Sequence, residues 1–372
     1  MRVVVVHNHP IHYKQLLFNE LARRGVDLTV LYLARKSKQR LQDQYLSNSS
    51  YSYAIGSEGF YESVSKVRTS WYVLAHLRHL QPDAVILGGY CDAAVWAAWA
   101  WSIVRRRPRV LWAETNKHDR PRVWWKEALK RVFLAGCHGA QVYGQNCKSY
   151  LADLGMSPDR IQIKRAVVDT LLFQPAKEEN HSAELRALYV GRFSPEKNVS
   201  FLISAFSKAC SFAWGRQLRL VLVGYGPLEH RVREAVVRCG TPERFEIVPG
   251  VPHERMPEYF GRSDVLVLPS VREPYGLVVL EAMASGLPVV VSSSCGCVPD
   301  VVSRSTGWVF SPYSEQQLIE VLQSISLMPK AGLCAMGVAA RAVALEYSGG
   351  RSAERVKRGL ECLLTGATWR DD

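Results

Sequence analysis

Short runs of Val, Leu and Ile, several of them closed by a glycine- or proline-bearing turn and followed by a helical pattern, recur along this chain and leave few architectures open. The first run, Val3 to Val6, precedes a helical pattern over residues 13–24 and a second run, Asp27 to Leu33. Parallel neighbours need a long connection, so β–α–β alternation of this kind argues for parallel strands joined by crossover helices. The alternation returns at Leu188 and again at Leu218 to Val223. A chain of 372 residues exceeds one hydrophobic core of usual size and fits two domains of about 170 residues each. The expected fold class is therefore α/β, with two Rossmann-like, doubly wound parallel-sheet domains. The polar stretch PAKEENHSAE, Pro175 to Glu184, lacks apolar periodicity and is the expected linker. It separates residues 1–174 from residues 184–346, and residues 347–372 read as a terminal helix.

One segment imitates a membrane span. Residues 84–104 carry a single charge, Asp92, and run into Arg105, Arg106, Arg107 and Arg109. Gly88-Gly89 interrupts the run and Asp92 stands where a helix cap is needed, so it divides into a strand over 84–88 and a helix over 92–104 capped by Asp92, with the next strand at 110–113. No signal peptide precedes the first strand, and nine cysteines at irregular spacing suit a reducing compartment, so a cytoplasmic protein is expected. Cys295-Gly296-Cys297 lacks the partner pair a metal site would need. No G-x-G-x-x-G follows a strand, since Gly224-Tyr225-Gly226 lacks the third glycine, which argues against a nicotinamide enzyme.

The chemistry concentrates in residues 269–288, PSVREPYGLVVLEAMASGLP, where Glu273 and Glu281 stand eight positions apart. A Pro-Tyr-Gly turn carries the first carboxylate and a helix beginning around Gly276 carries the second, so both can face one ligand. A helix N-terminus suits phosphate, while carboxylates accept hydrogen bonds from sugar and ribose hydroxyls. Residues 188–206, LYVGRFSPEKNVSFLISAF, add a strand, a Gly-Arg turn and a helix whose start is flagged by Ser194 and Pro195. No Asp-x-Asp pair is present to hold a metal, so charge on a diphosphate would be met by Arg192, Lys197 and helix-end amides near Gly276 and Gly296.

Together with GYGP (224–227), Val248 to Val251, YFGRSDVLVLPS (259–270) and CGCVPD (295–300), these motifs resemble retaining GT-B glycosyltransferases of family 4 over residues 188–310. The resemblance implies two domains facing a central cleft, with the last helix crossing back to the N-terminal domain. It implies a hexosyltransferase that needs neither metal nor cofactor and moves a sugar from a nucleotide-diphosphate sugar to an acceptor hydroxyl, in glycan, exopolysaccharide or glycolipid biosynthesis. Arg192, Lys197 and Glu273 would be catalytic. Gly191, Gly224, Val251, Tyr275, Gly276, Leu277, Glu281 and Gly296 would bind the donor, with Glu281 on the ribose and backbone near Val251 reading the base. A nucleotide-sugar epimerase or phosphorylase on the same fold is the alternative, and a basic membrane- or nucleic-acid-binding protein without catalysis is a further one; nucleic acid is not an expected partner.

On the acceptor side the residues leave several candidates open. HNHPIHYK, residues 7–14, stands where a glycine-rich turn is common, and His9 and His12 bracket its proline. After the strand at 110–113 come Glu114, Thr115 and Asn116, with His118 beyond, any of which could replace the histidine usual there. The net charge of +13 is uneven. Residues 1–173 hold 25 Lys and Arg against 13 Asp and Glu, whereas the remainder holds 22 against 21. A sugar, lipid-linked or small-molecule acceptor that is anionic, or held at an anionic membrane surface, would suit that half, with the protein peripheral on the cytoplasmic face. Residues 117–134, with Trp124-Trp125 among lysines and arginines, read as a basic amphipathic helix that either lies on a bilayer or is a crossover helix with its apolar side buried.

Overall fold

The computed structural model describes residues 1–38, 45–115, 122–176, 184–212 and 215–367. They form two units, one of Met1–Val167 with Gly349–Asp372 and one of Val168–Ser348. Residues 168–173 belong to the second unit: Val168 bridges to Ser348, and Phe173 packs edge-on against His253 and Phe260. Most of the expected linker, residues 177–183, lies outside the described residues.

The first unit contains β1 (Arg2–His7), α1 (His12–Arg23), β2 (Asp27–Tyr32), β3 (Ser52–Ile55), α2 (Lys66–Leu80), β4 (Ala84–Leu87), α3 (Ala93–Val104), β5 (Arg109–Ala113), α4 (Trp124–Ala135), β6 (Gly139–Val142), α5 (Gln145–Asp153) and β7 (Ile161–Ile163). Among the described residues its strands form one parallel sheet in the order β3-β2-β1-β4-β5-β6-β7. Both faces are covered, which is why the strands read as unbroken apolar runs instead of alternating ones. Successive side chains still serve opposite faces. Val4 and Val6 join a core with Leu77 of α2, Val95 of α3, Phe133 of α4 and Leu151 of α5. Val3 and Val5 join another with Leu17 and Phe18 of α1 and with Val356 and Leu360 near the C-terminus. Each such fully buried side chain is worth about 1.5–3 kcal/mol against exposure.

The second unit contains β8 (Leu185–Val190), α6 (Val199–Cys210), β9 (Leu218–Val223), α7 (Glu229–Arg238), β10 (Phe245–Val248), α8 (Met256–Gly261), β11 (Val265–Leu268), α9 (Leu277–Ala284), β12 (Val289–Ser292), α10 (Val298–Val301), β13 (Gly307–Phe310), α11 (Glu315–Leu327) and α12 (Lys330–Leu345). Its sheet, again parallel, runs β10-β9-β8-β11-β12-β13. The last helix, α13 (Gly349–Thr365), returns to the first unit and packs on α1. In each sheet the strand order reverses once, between β1 and β4 and between β8 and β11. Ligands of open α/β sheets are met at the carboxyl ends of strands beside such a reversal.

Two local expectations are corrected. Asp92 occupies the N-cap position of α3, but its carboxylate accepts from the Tyr61 hydroxyl at 2.6 Å and caps no helix amide. Ser194-Pro195 opens only a short 3-10 turn, Pro195–Lys197; Asn198 then adopts a left-handed conformation (φ 56°), and α6 begins after it. The Ser194 hydroxyl donates to Glu196 at 2.7 Å, so it offers the helix nothing. Among the described residues no single helix is long and apolar enough to cross a membrane, and α3, the helix that imitated a span, has 12 residues.

Candidate active site

In the second unit, the two chain segments that leave the sheet at its reversal are pinned to each other. After β8 the chain makes the Gly191-Arg192 turn, and after β11 it makes the turn that carries Glu273. The amide of Val271 donates to the carbonyl of Glu196 at 2.9 Å, and Lys197 forms an ion pair with Glu273. Both side chains are largely buried, so solvent screens the pair little.

The β8 turn also presses against the turn after β9. A side chain at Gly224 would place its Cβ 2.0 Å from the carbonyl oxygen of Gly191, so only glycine fits there. The buried Tyr189 hydroxyl donates to the carbonyl of Arg192 at 2.9 Å and fixes the turn from beneath. The Nε of Arg192 is buried with no hydrogen-bond partner, a state that costs about 1–3 kcal/mol and that an anionic oxygen would relieve. Val251 lies half-buried beyond β10, in the loop whose Gly250 packs on Tyr225.

Gly276 precedes α9 with φ 98°, which L side chains rarely adopt, and no side chain caps the helix start at Leu277. Glu281 stands half-buried one turn into α9. The expected donors near Gly296 are engaged elsewhere: the Gly296 amide donates to the carbonyl of Glu273 at 3.0 Å, and the Cys297 amide to that of Tyr275 at 2.9 Å. Those amides hold the Glu273 turn in shape, which leaves the start of α9 as the amide-rich end. Tyr275 itself is buried, so its contribution to a ligand would be through backbone. Burial also pushes the Cys295 thiol up to about 12 and that of Cys297 well above its usual range, so both stay protonated. Among the described residues no three His, Cys, Asp or Glu side chains are grouped to hold a metal ion.

In the first unit, a polar cluster sits at the carboxyl ends of β1, β5, β6 and β7, and most of it escaped the sequence reading. Lys14, buried in the first turn of α1, donates to His7 Nε2 at 2.7 Å and to Glu114 Oε1 at 2.5 Å. Burial and the neighbouring Lys14 hold the His7 imidazole well below its usual pKa. A neutral ring whose Nδ1–H donates to the His9 carbonyl at 3.0 Å has its Nε2 lone pair free for Lys14, so the tautomer follows from the contacts. Burial alone would raise the Glu114 carboxyl, but Lys14 overrides it, with His7 and Lys164 adding to the effect, and holds it at about 2. The Tyr143 hydroxyl also donates to Oε1 at 2.9 Å. Glu114 keeps 38 % of its side chain in solvent, and with both contacts on Oε1 the second oxygen can take a further donor.

Behind them lies Lys164, buried, its ammonium nitrogen 4.1 Å from the Tyr143 ring centre and 4.6 Å from that of Trp112, without a hydrogen-bond partner. Burial and the nearby Lys14 pull its pKa well down. His9 faces its own loop, with Nδ1 3.0 Å from the Pro10 carbonyl, and His12 opens α1 half-buried. Asn116 and His118 lie outside the described residues. Lys14 could have been found from spacing: with Leu17, Phe18 and Leu21 it falls on the buried stripe of α1, where a lysine needs a partner. No such signal marks Lys164.

Residues 173–334 match the family model described as glycosyl transferases group 1. The chain is 33% identical over 128 residues to an uncharacterized glycosyltransferase of Methanocaldococcus jannaschii, covering 34% of this chain and 32% of that protein. It is 29% identical over 228 residues to the D-inositol 3-phosphate glycosyltransferase of Nocardia farcinica, covering 58% of this chain and 49% of that one. The chain thus matches about a third to a half of the length of these relatives. Among solved structures, Anabaena HepE in complex with UDP superposes with a TM-score of 0.75 at 17% identity over 97% of this chain and 100% of that one, a likeness of fold.

Proposed function

We propose, because residues 173–334 match the family model described as glycosyl transferases group 1, that this protein moves a sugar from a nucleoside-diphosphate sugar to an acceptor hydroxyl with retention of configuration and without a metal. Donor binding is assigned to the second unit. The observation that carries the reading is the turn pair at the reversal between β8 and β11: a buried, unpartnered Arg192 Nε, the Lys197–Glu273 ion pair and the uncapped start of α9. Arg192 and Lys197 would meet the charge that grows on the leaving phosphate, where fixed cations count most in the transition state. Lys197 has three donors and so can keep Glu273 while reaching a phosphate oxygen. Glu273 would hold sugar hydroxyls, and Glu281 the ribose.

Acceptor binding is assigned to the first unit. An ionised Glu114 with a pKa near 2 is a weak base and a strong hydrogen-bond acceptor, so it would orient the acceptor hydroxyl instead of deprotonating it. The acceptor oxygen then bonds to the anomeric carbon from the face that the phosphate leaves, and its proton passes to a phosphate oxygen, so bonds and charges balance within donor and acceptor. Acceptor-dependent release of nucleoside diphosphate, undiminished by EDTA, is the expected result. Turnover with no acceptor would instead favour an epimerase, and turnover lost in EDTA and restored by magnesium or manganese would end the metal-free mechanism.

A further inference from the structure

A crossover helix normally turns its apolar side to the sheet. Helix α4 does so with only two residues, Phe133 and Leu134, and carries a second apolar stripe outward. Trp125, Leu129 and Val132, spaced i, i+4 and i+7, share one face and are 48%, 49% and 56% exposed; Trp124 beside them is 82% exposed. Exposed Lys126 borders this stripe on one side, its ammonium nitrogen 5.3 Å from the Trp125 ring centre, and exposed Arg131 borders it on the other. The one acidic residue of the helix, Glu127, is turned away and bonds Lys130 at 2.7 Å and the Tyr150 hydroxyl at 3.0 Å. Lys130 is likewise spent inside the unit, against Glu127, Tyr150 and the Tyr90 ring. The neighbouring helix α3, held to α4 by the stacked rings of Trp99 and Phe133, ends in exposed Ile103 and Val104 and runs into Arg105, Arg106 and Arg107.

From this arrangement we infer that α4 lies in the headgroup layer of an anionic lipid bilayer, with Trp124, Trp125, Leu129 and Val132 at the acyl boundary and Lys126 and Arg131 against lipid phosphates. Charge complementarity decides the occupant. Among the described residues, the exposed face of α4 is an apolar stripe lined on both edges by cations and free of carboxylates, which matches a surface whose negative charge overlies hydrocarbon. Tryptophan is the side chain whose amphipathic ring favours that depth. A second copy of this chain would bring the same cations against one another. The inference does not rest on the transferase reading, because binding is measured with neither donor nor acceptor present.

The test is cosedimentation of the full chain with phosphatidylcholine vesicles with and without phosphatidylglycerol, at low and high salt. Binding to the anionic vesicles that weakens with salt is expected. The double variant Lys126→Gln/Arg131→Gln should bind about 30-fold more weakly, and Trp125→Ser/Leu129→Ser should lose binding. All four positions are exposed, so unchanged thermal melts are expected to show that both variants fold. An unmodified protein that ignores anionic vesicles would overturn the inference. So would retention of binding in Trp125→Ser/Leu129→Ser, which would mean charge attraction without insertion. Concentration-dependent self-association that this variant abolishes would give the face to a second copy.

Discussion

Lys197, at the end of the 3-10 turn after β8, donates to Glu273, in the turn after β11, and so joins the two segments that leave the second sheet at its reversal. The pair is part of the fold as well as of the proposed site, and the two roles can be separated. Removing one partner strands a largely buried charge, so Lys197→Met should cost about 1–3 kcal/mol. Lys197→Met/Glu273→Gln should cost less than the sum of the single changes, by about 1 kcal/mol or more. Denaturant titration of the four proteins measures this, and additive losses would mean that the pair contributes no coupling.

Arg192→Ala should depress turnover far more than donor binding, with kcat falling about 100- to 1,000-fold and the dissociation constant for nucleotide changing much less. Steady-state kinetics alongside calorimetry provides the comparison. Near-normal kcat would assign the leaving-group charge to another cation.

Glu281→Ala should weaken nucleotide binding and leave the melting temperature close to that of the parent, because alanine favours the helix that carries it. Unchanged nucleotide affinity by calorimetry would remove Glu281 from the site.

The Glu114 carboxyl is held at about 2 in the folded protein, below its unfolded value of about 4.3, so its contribution to stability is present above that unfolded value and is lost as pH falls from about 5 towards 2. A fully buried shift of that size would be worth about 3 kcal/mol; with part of the carboxylate in water, about 1–2 kcal/mol is expected. Glu114→Gln should therefore be destabilised by that amount at neutral pH, and urea titrations should show the gap closing in acid. Lys164 has the opposite consequence at neutral pH. Its folded pKa is depressed, so stability is fullest above its unfolded value and falls as pH drops, and Lys164→Met should be more stable than the parent at pH 7.

What the sequence shows and what it hides divide along the reach of each interaction. Strand runs, the Gly191-Arg192 turn, the glycine at 276 and the start of α9 are set by neighbours a few residues away, and all of them can be read in order along the chain. The cluster of His7, Lys14, Glu114, Tyr143 and Lys164 is assembled from four strand ends and a helix, and nothing local pairs its members. Competition between partners defeated other readings. Asp92 meets Tyr61 before it can cap α3, the Gly296 amide is taken by Glu273, and Lys130 turns inward although Lys126 and Arg131 on the same helix do not. Helical periodicity left the apolar side of α4 two possible surroundings, a bilayer or the core of its own unit, and packing shows that most of its apolar stripe points outward.

The central claim, that the second unit holds a nucleoside-diphosphate sugar, is tested most directly by thermal shift of the full chain against a panel of UDP-, GDP- and ADP-sugars. At about 100 times its dissociation constant, the right donor should add about 2.7 kcal/mol to stability, and Arg192→Ala and Glu281→Ala should respond more weakly than the parent. A parent protein whose melting temperature is indifferent to every donor in the panel, at concentrations up to the millimolar range, would contradict the claim.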